Sequence, residues 1–146
     1  MHRGQTRKLP PIAGVLETPL YVDDLDRARA FYTEVLGLET ITADERFCAL
    51  ATGGQGVLLL FRRGATLETV ELPGGTIPPH DGHGPLHFAL AVETAADLAA
   101  WEEWLTGLGI AIEGRTDWPH GGRSIYFRDP DGHLAELATR GLWPGW

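Results

Sequence analysis

The sequence predicts an α+β fold: two βαβββ modules whose strands form an open, curved mixed-sheet cup with the helices outside. Three observations carry that prediction. Runs of alternating and of helical period follow one another as strand, helix, strand, strand, strand, and this order occurs twice. Laying one half over the other places Leu20 and Val22 on Leu90 and Val92, Phe31 on Trp101, and Glu17 on His87. Between the halves, RGATLETVELPGGTIPPHDGHG is rich in Gly and Pro and holds no sustained period, as a linker with at most one short added strand would. The expected organisation is a flexible tail over 1–11 and a single domain over 12–146, with module one at 12–63, the linker at 64–83 and module two at 84–140.

In GVLETPLYV, Leu16, Thr18, Leu20 and Val22 fall on one face of a strand and Val15, Glu17, Pro19 and Tyr21 on the other. Asp24 stands where a helix N-cap belongs. Leu25, Ala28, Phe31, Tyr32, Val35 and Leu36 follow at near-helical spacing, and Gly37 closes the helix. LETIT, RFCALAT and GVLLLFRR read as three strands, the last two joined through the Gly pair of TGGQG. In the second half LHFALAV alternates like the first strand. TAADLAAWEEWLTGLG is a helix with Thr94 as N-cap and Leu98, Trp101, Leu105 and Leu108 as its stripe, and IAIEGR, RSIYFRD and HLAELAT supply three more strands.

Composition limits the chemistry. A chain of 146 residues, 43% hydrophobic and 22% charged, is large enough for a real core. A net charge of −8 excludes the concentrated basic face that nucleic acid requires, and leaves cationic small molecules open as ligands. The single cysteine, Cys48, excludes a disulfide framework; it has no basic sequence neighbour to activate it and reads as a small buried strand residue. MHRGQTRK is followed by no apolar run of signal-peptide or membrane-spanning length, so the expectation is a solvated tail on a cytoplasmic protein with no membrane partner. GxSxG, HExxH, Walker A and GxGxxG motifs are all absent.

The polar residues on the strands single out a site. The apolar face of each module's first strand must meet its helix, so Glu17 and His87 look into the cup. A turn centred on PDG pairs Asp129 with His133 and Tyr126 with Glu136, putting Ser124, Tyr126 and Glu136 on the cup face. Burying a bare carboxylate is costly unless a proton or cation neutralises it. Glu17, His87 and Glu136 on rigid strands would leave coordination positions open, as a catalytic divalent site requires. His120, beside Trp118 on a loop at the cup mouth, is a candidate acid or base. His80 and His83 read as solvated linker histidines, and His133 as a structural turn residue.

The stretches LETPLYVDDLDRARAFYTEVLGLE, PLHFALAV and SIYFRDPDGHLAELAT resemble the vicinal-oxygen-chelate superfamily, the group of glyoxalases, bleomycin-resistance proteins and extradiol dioxygenases, from about Ile12 to Trp143. The resemblance implies metal ligands at Glu17, His87 and Glu136, and a substrate-facing hydroxyl at Tyr126. The first position is usually His or Gln in that family and is Glu17 here. Members of the glyoxalase I type add a fourth ligand in the fourth strand, whereas aligning Gly56 with Gly132 sets Leu60 opposite Glu136. The expected protein is therefore a glyoxalase- or dioxygenase-like metalloenzyme, a lyase, dioxygenase or transferase. It would bind a small oxygenated substrate at Zn, Fe, Mn or Ni, would not isomerise the methylglyoxal–glutathione hemithioacetal, and would be a homodimer, since two such modules leave strand edges and a cup rim to cover. The alternative is a non-catalytic, bleomycin-resistance-like protein binding a cationic small molecule in an acidic groove.

Overall fold

The computed structural model describes residues 8–146. The tail expected over 1–11 lies mostly outside that range; residues 8–16 are outside any helix or strand. In module one, β1 (Glu17–Val22) leads into α1 (Leu25–Ala30), then β2 (Glu39–Ala43), β3 (Phe47–Ala51) and β4 (Val57–Arg62). After a short hairpin of β5 (Val70–Leu72) and β6 (Gly75–Ile77), the order returns as β7 (His87–Ala91), α2 (Ala95–Gly107), β8 (Gly114–Asp117), β9 (Arg123–Arg128) and β10 (Leu134–Ala138). Each module makes a four-stranded mixed sheet of the same topology, β1-β4-β3-β2 and β7-β10-β9-β8, whose outer first strand is parallel to the last. The linker thus holds two short paired strands rather than one.

The local signals act as their chemistry requires. Asp24 accepts from the backbone N–H of Arg27 and Thr94 from that of Asp97, each satisfying a donor that the first helical turn leaves free. Past Ala30, α1 widens into a π-helical turn over Phe31–Val35, where Thr33 donates back to the Arg29 and Ala30 carbonyls. The wider turn lets adjacent Phe31 and Tyr32 both pack on the core. Gly37, at φ 71°, stops the helix. Two expectations shift. Leu108 caps the end of α2 and is exposed, because the helix stops before its turn can face the sheet. Ile110 and Ile112 still pack on the core, but the ladder to β9 runs from Gly114 to Asp117, so β8 begins later than the IAI run suggested.

One core serves both modules. Leu20, Val22, Tyr32, Leu58 and Leu60 of the first half and Phe88, Leu105, Ile125, Phe127 and Leu137 of the second belong to a single buried cluster on the helix side of the sheets. Burial of this apolar surface, at about 25 cal/mol per Å² removed from water, is the main favourable term. The DPDG turn clasps the halves together. Tyr32 donates to Asp129 at 2.6 Å, and Asp131 accepts from the backbone N–H of Asp23 at 2.9 Å and from Arg27 at 3.3 Å. Burial first, and then the Asp129 charge and hydrogen bond, push the Tyr32 phenol far up, so it remains a donor. His133 is fully buried: the Leu86 N–H donates to Nδ1 at 2.9 Å, which leaves Nε2–H to donate to the Tyr21 carbonyl at 2.8 Å. The turn histidine is structural, as its position suggested.

Cys48 is buried in this core, and burial pushes its thiol up. It is expected to resist a thiol-specific reagent in the folded protein and to react at once in denaturant; fast labelling without denaturant would show that β3 opens locally.

Candidate functional site

The β9–β10 ladder pairs Tyr126 with Glu136 and Ser124 with Ala138, which brings Ser124 diagonally next to Glu136 on the face away from the core. On the other side of β10, parallel pairing sets His87 against Leu134. The result is a directed chain of hydrogen bonds. Trp118 Nε1–H donates to Ser124 Oγ at 2.9 Å, and Ser124 O–H donates to Glu136 Oε2 at 2.5 Å. Glu136 Oε1 lies 3.1 Å from His87 Nε2. The Leu134 carbonyl, which can only accept, takes the Nδ1–H of His87 at 3.0 Å. Both side chains are therefore held at both ends, and the pair is open on one side, with Glu136 6% and His87 51% exposed.

This arrangement fits a cation. With Nδ1–H committed to Leu134, a neutral His87 presents its Nε2 lone pair to a carboxylate oxygen, and two acceptors 3.1 Å apart repel unless a proton or metal ion lies between them. An imidazole nitrogen oriented by a carbonyl, beside a carboxylate oriented by a hydroxyl, offers two donors of the kind a divalent cation takes, with their supporting hydrogen bonds in place.

The structure brings Tyr126 to this pair, its ring centroid 6.2 Å from that of His87. It does not bring Glu17 there. Glu17 is exposed at the start of β1 and lines a separate cavity of about 530 Å³ with Tyr21, Arg46, Phe61 and His80. Among the described residues no three His, Cys, Asp or Glu side chains converge to hold a metal ion. His120 is exposed in the turn between β8 and β9, and its ring makes no hydrogen bond among the described residues. One register expectation is corrected. In β1–β4 Glu17 pairs with Val57, as His87 pairs with Leu134 in β7–β10, so the position matching Glu136 is Leu59 on the cup face, while Leu60 is buried in the core. Either residue leaves that position without a carboxylate.

The sequence placed Ser124 on the cup face and Trp118 near its mouth, but not the hydrogen bonds that join them to Glu136. It also missed the anchoring of His80. His80 is no free linker histidine: it accepts or donates at Nδ1 with the Tyr21 hydroxyl at 2.6 Å, and its backbone is tied to Thr66.

Comparison with known proteins agrees with this architecture. The family described as Glyoxalase/Bleomycin resistance protein/Dioxygenase superfamily matches residues 9–137. The chain belongs to this superfamily. Within it, a crystal structure of lactoylglutathione lyase from Agrobacterium tumefaciens superposes with a TM-score of 0.83 at 33% identity, covering 92% of this chain and 98% of that one. A metallothiol transferase FosB of Bacillus licheniformis is 30% identical over 129 residues, covering 88% of this chain and 76% of its own length. TnmS3, an antibiotic binding protein from Streptomyces sp. CB03234, superposes with a TM-score of 0.64 at 26% identity, covering 90% and 98%. This superfamily member is a βαβββ pair with helices outside the sheets. Among its described residues no helix is long and apolar enough to cross a membrane.

Proposed function

We propose that this protein is a metal-dependent enzyme in which His87 and Glu136 of one chain, with Glu17 of a second copy, hold a divalent cation facing a small oxygenated substrate. The observation that carries the reading is the His87–Glu136 pair, fixed from behind by Leu134 and Ser124 and open in front. Glu17 faces the cup of its own module, away from that pair, and a homodimer that sets the first module's cup against the partner's second module would bring the three together. When bound, such a cation supplies Lewis-acid polarisation of a substrate oxygen.

The chain's own residues do the rest. Ser124 holds Glu136 Oε2 and leaves Oε1 for the site; Leu134 holds the His87 ring in one tautomer; the Tyr126 hydroxyl is on the open face, where it can donate to the substrate. With Leu59 at the place of a fourth carboxylate, the strand residue that would stand beside Glu17, His87 and Glu136 as both ligand and proton shuttle between carbons is missing. That favours addition of a nucleophile, in keeping with the metallothiol transferase relatives, over isomerisation; the likeness to lactoylglutathione lyase is the argument on the other side.

The deciding experiment is metal analysis of protein purified without a metal-affinity tag and exposed in turn to Mn²⁺, Fe²⁺, Zn²⁺ and Ni²⁺. About one ion per chain is expected, lost in a folded Glu136→Gln variant. No retained ion in the wild type would sink the proposal. The metal-loaded protein is further expected to leave the methylglyoxal–glutathione hemithioacetal unchanged. Turnover near an ordinary enzyme's ~10 s⁻¹ would transfer the reading to isomerisation.

A further inference from the structure

The two four-stranded sheets end in four outer strands, and three of these carry something that discourages a further strand from pairing. β2 has a bulge between Thr40 and Thr42, β8 holds the ion-paired Arg115 and Asp117, and β1 has Pro19 in its first half. β7 has no such guard. Its sequence is HFALA, and Ala89 and Ala91 are exposed. The Leu86 carbonyl accepts from Leu134 and the Val92 N–H donates to Ala138, so the backbone groups at the alternate positions His87, Ala89 and Ala91 point away from β10. Beside this edge the rim of the core is open, and Leu90 and Val92 are only partly buried there.

The chain also holds an apolar segment with nothing over it. Every residue from Lys8 to Leu16 is exposed, among them Leu9 at 72%, Ile12 at 88%, Val15 at 84% and Leu16 at 66%. Among the described residues the backbone of this segment makes one hydrogen bond, from the Val57 N–H to the Leu16 carbonyl. With the bond from the Arg63 N–H to the Val22 carbonyl, it shows that the even-numbered groups of this stretch face β4 and the odd-numbered groups, those of Val15 and Glu17, face outward.

We infer that Ala13–Glu17 of one copy of the chain pair as an antiparallel strand with the free edge of β7 in a second copy. The inference rests on the proposed site, in which Glu17 of one copy joins His87 of the other. The occupant is a second copy because Glu17 is not brought to the His87 of its own chain. β1 and β7 are equivalent strands, and a two-fold relation about a shared ion sets them antiparallel with Glu17 opposite His87. Val15 then faces Ala89 and Ala13 faces Ala91, so every outward backbone group meets an outward one. On the cup face the larger Val15 lies beside the small Ala89, and on the other face Leu16 and Ile12 reach Phe88 and Val92 at the open rim of the core. Proline bounds the pairing at both ends: Pro10 and Pro11 have no N–H to give, and beyond Glu17 Pro19 would meet Pro85. Gly14, at φ 139°, bends the free segment off this line, and a glycine straightens there at little cost.

Cross-linking and sedimentation of the full chain, kept in a metal chelator, test this. A variant carrying both Val15→Cys and Ala89→Cys is expected to form a disulfide-linked dimer on mild oxidation, because directly paired Cα atoms about 5.5 Å apart suit the bond. Either change alone should leave the chain running as a monomer on a non-reducing gel. No link, or a link within one chain that migrates as a monomer, would overturn the assignment. Val15→Pro and Ala89→Pro each remove one outward N–H and none that the sheets of a single chain use, so each should weaken self-association about tenfold. Together they should weaken it little more than either alone, since both act on one pair. Val15 lies outside any helix or strand, so its replacement leaves the fold of the single chain intact. A dimer indifferent to both prolines would overturn the added strand and leave the shared site standing. A chain that is monomeric at micromolar concentration in chelator would also overturn the strand, and if it stays monomeric with divalent ions added, the shared site falls with it. Cross-linked protein that retains no divalent ion keeps the strand and loses the cation.

Discussion

Replacing His133 by Ala is expected to lower the unfolding free energy by about 4 kcal/mol, as much as many domains have to spare. The side chain is fully buried and joins three elements: it accepts a hydrogen bond from the Leu86 N–H just before β7 and donates one to the Tyr21 carbonyl near the end of β1, while its own backbone leads directly into β10. Alanine leaves a buried donor and a buried acceptor without partners, each costing about 1–3 kcal/mol, and adds the void left by the ring. His83, whose side chain is 83% exposed beside Asp81, is the control, and its replacement by Ala should cost less than about 0.5 kcal/mol. Urea titration reads both, with the slope unchanged if only stability has moved. A loss below about 1 kcal/mol for His133→Ala would mean that water reaches Leu86 and Tyr21 and that the bridge does not hold the modules together.

The second expected result concerns the proposed site shared between two copies of the chain. Glu17→Ala and His87→Ala should each abolish metal retention, and mixing the two after a cycle of dissociation and reassociation should restore it to about a quarter of the sites. The arithmetic follows from two-fold symmetry: half of the dimers are mixed, and in each of these one site carries both changes while the other carries neither. A mixture that recovers nothing would mean that Glu17 acts within its own chain or takes no part. Glu17→Ala protein that keeps its metal would point to a two-residue site completed by substrate or water.

How far the sequence led can be judged at particular residues. Glu136 was legible because a tight turn sets hairpin register: once Asp129 faces His133, every side chain of β9 and β10 has its partner and its face. His87 and Glu17 followed from alternation in two like strands. The comparison of Leu60 with Glu136 failed by one position because it equated Gly56 with Gly132. In the ladders Ala51 faces Val57 as Arg128 faces Leu134, so Gly56 stands where His133 does, and a one-residue slip exchanges the two faces of a strand. His80 was hidden for a different reason. A linker has no period, and this one takes its place from a contact with Tyr21, far away in sequence, and from hydrogen bonds between its own ends at Thr66 and His80. The separation of Glu17 from His87 and Glu136 was equally out of reach, since alternation tells which face a side chain takes and not which sheet that face meets.

The clasp made by the DPDG turn has a bearing on how the duplicated chain can change. Repeated units that stack through small faces melt and mutate semi-independently. In this chain the buried phenol of Tyr32 ends on Asp129, the Tyr21 carbonyl ends on His133, and one apolar cluster spans both halves. Neither half has a closed interior of its own, so the two should melt in one cooperative step, and a substitution in the turn of the second should loosen the first strand of the chain as much as its own hairpin. The duplication that supplied two cup walls has left no half free to drift, and tolerance for change is confined to the linker tip and the outer strands.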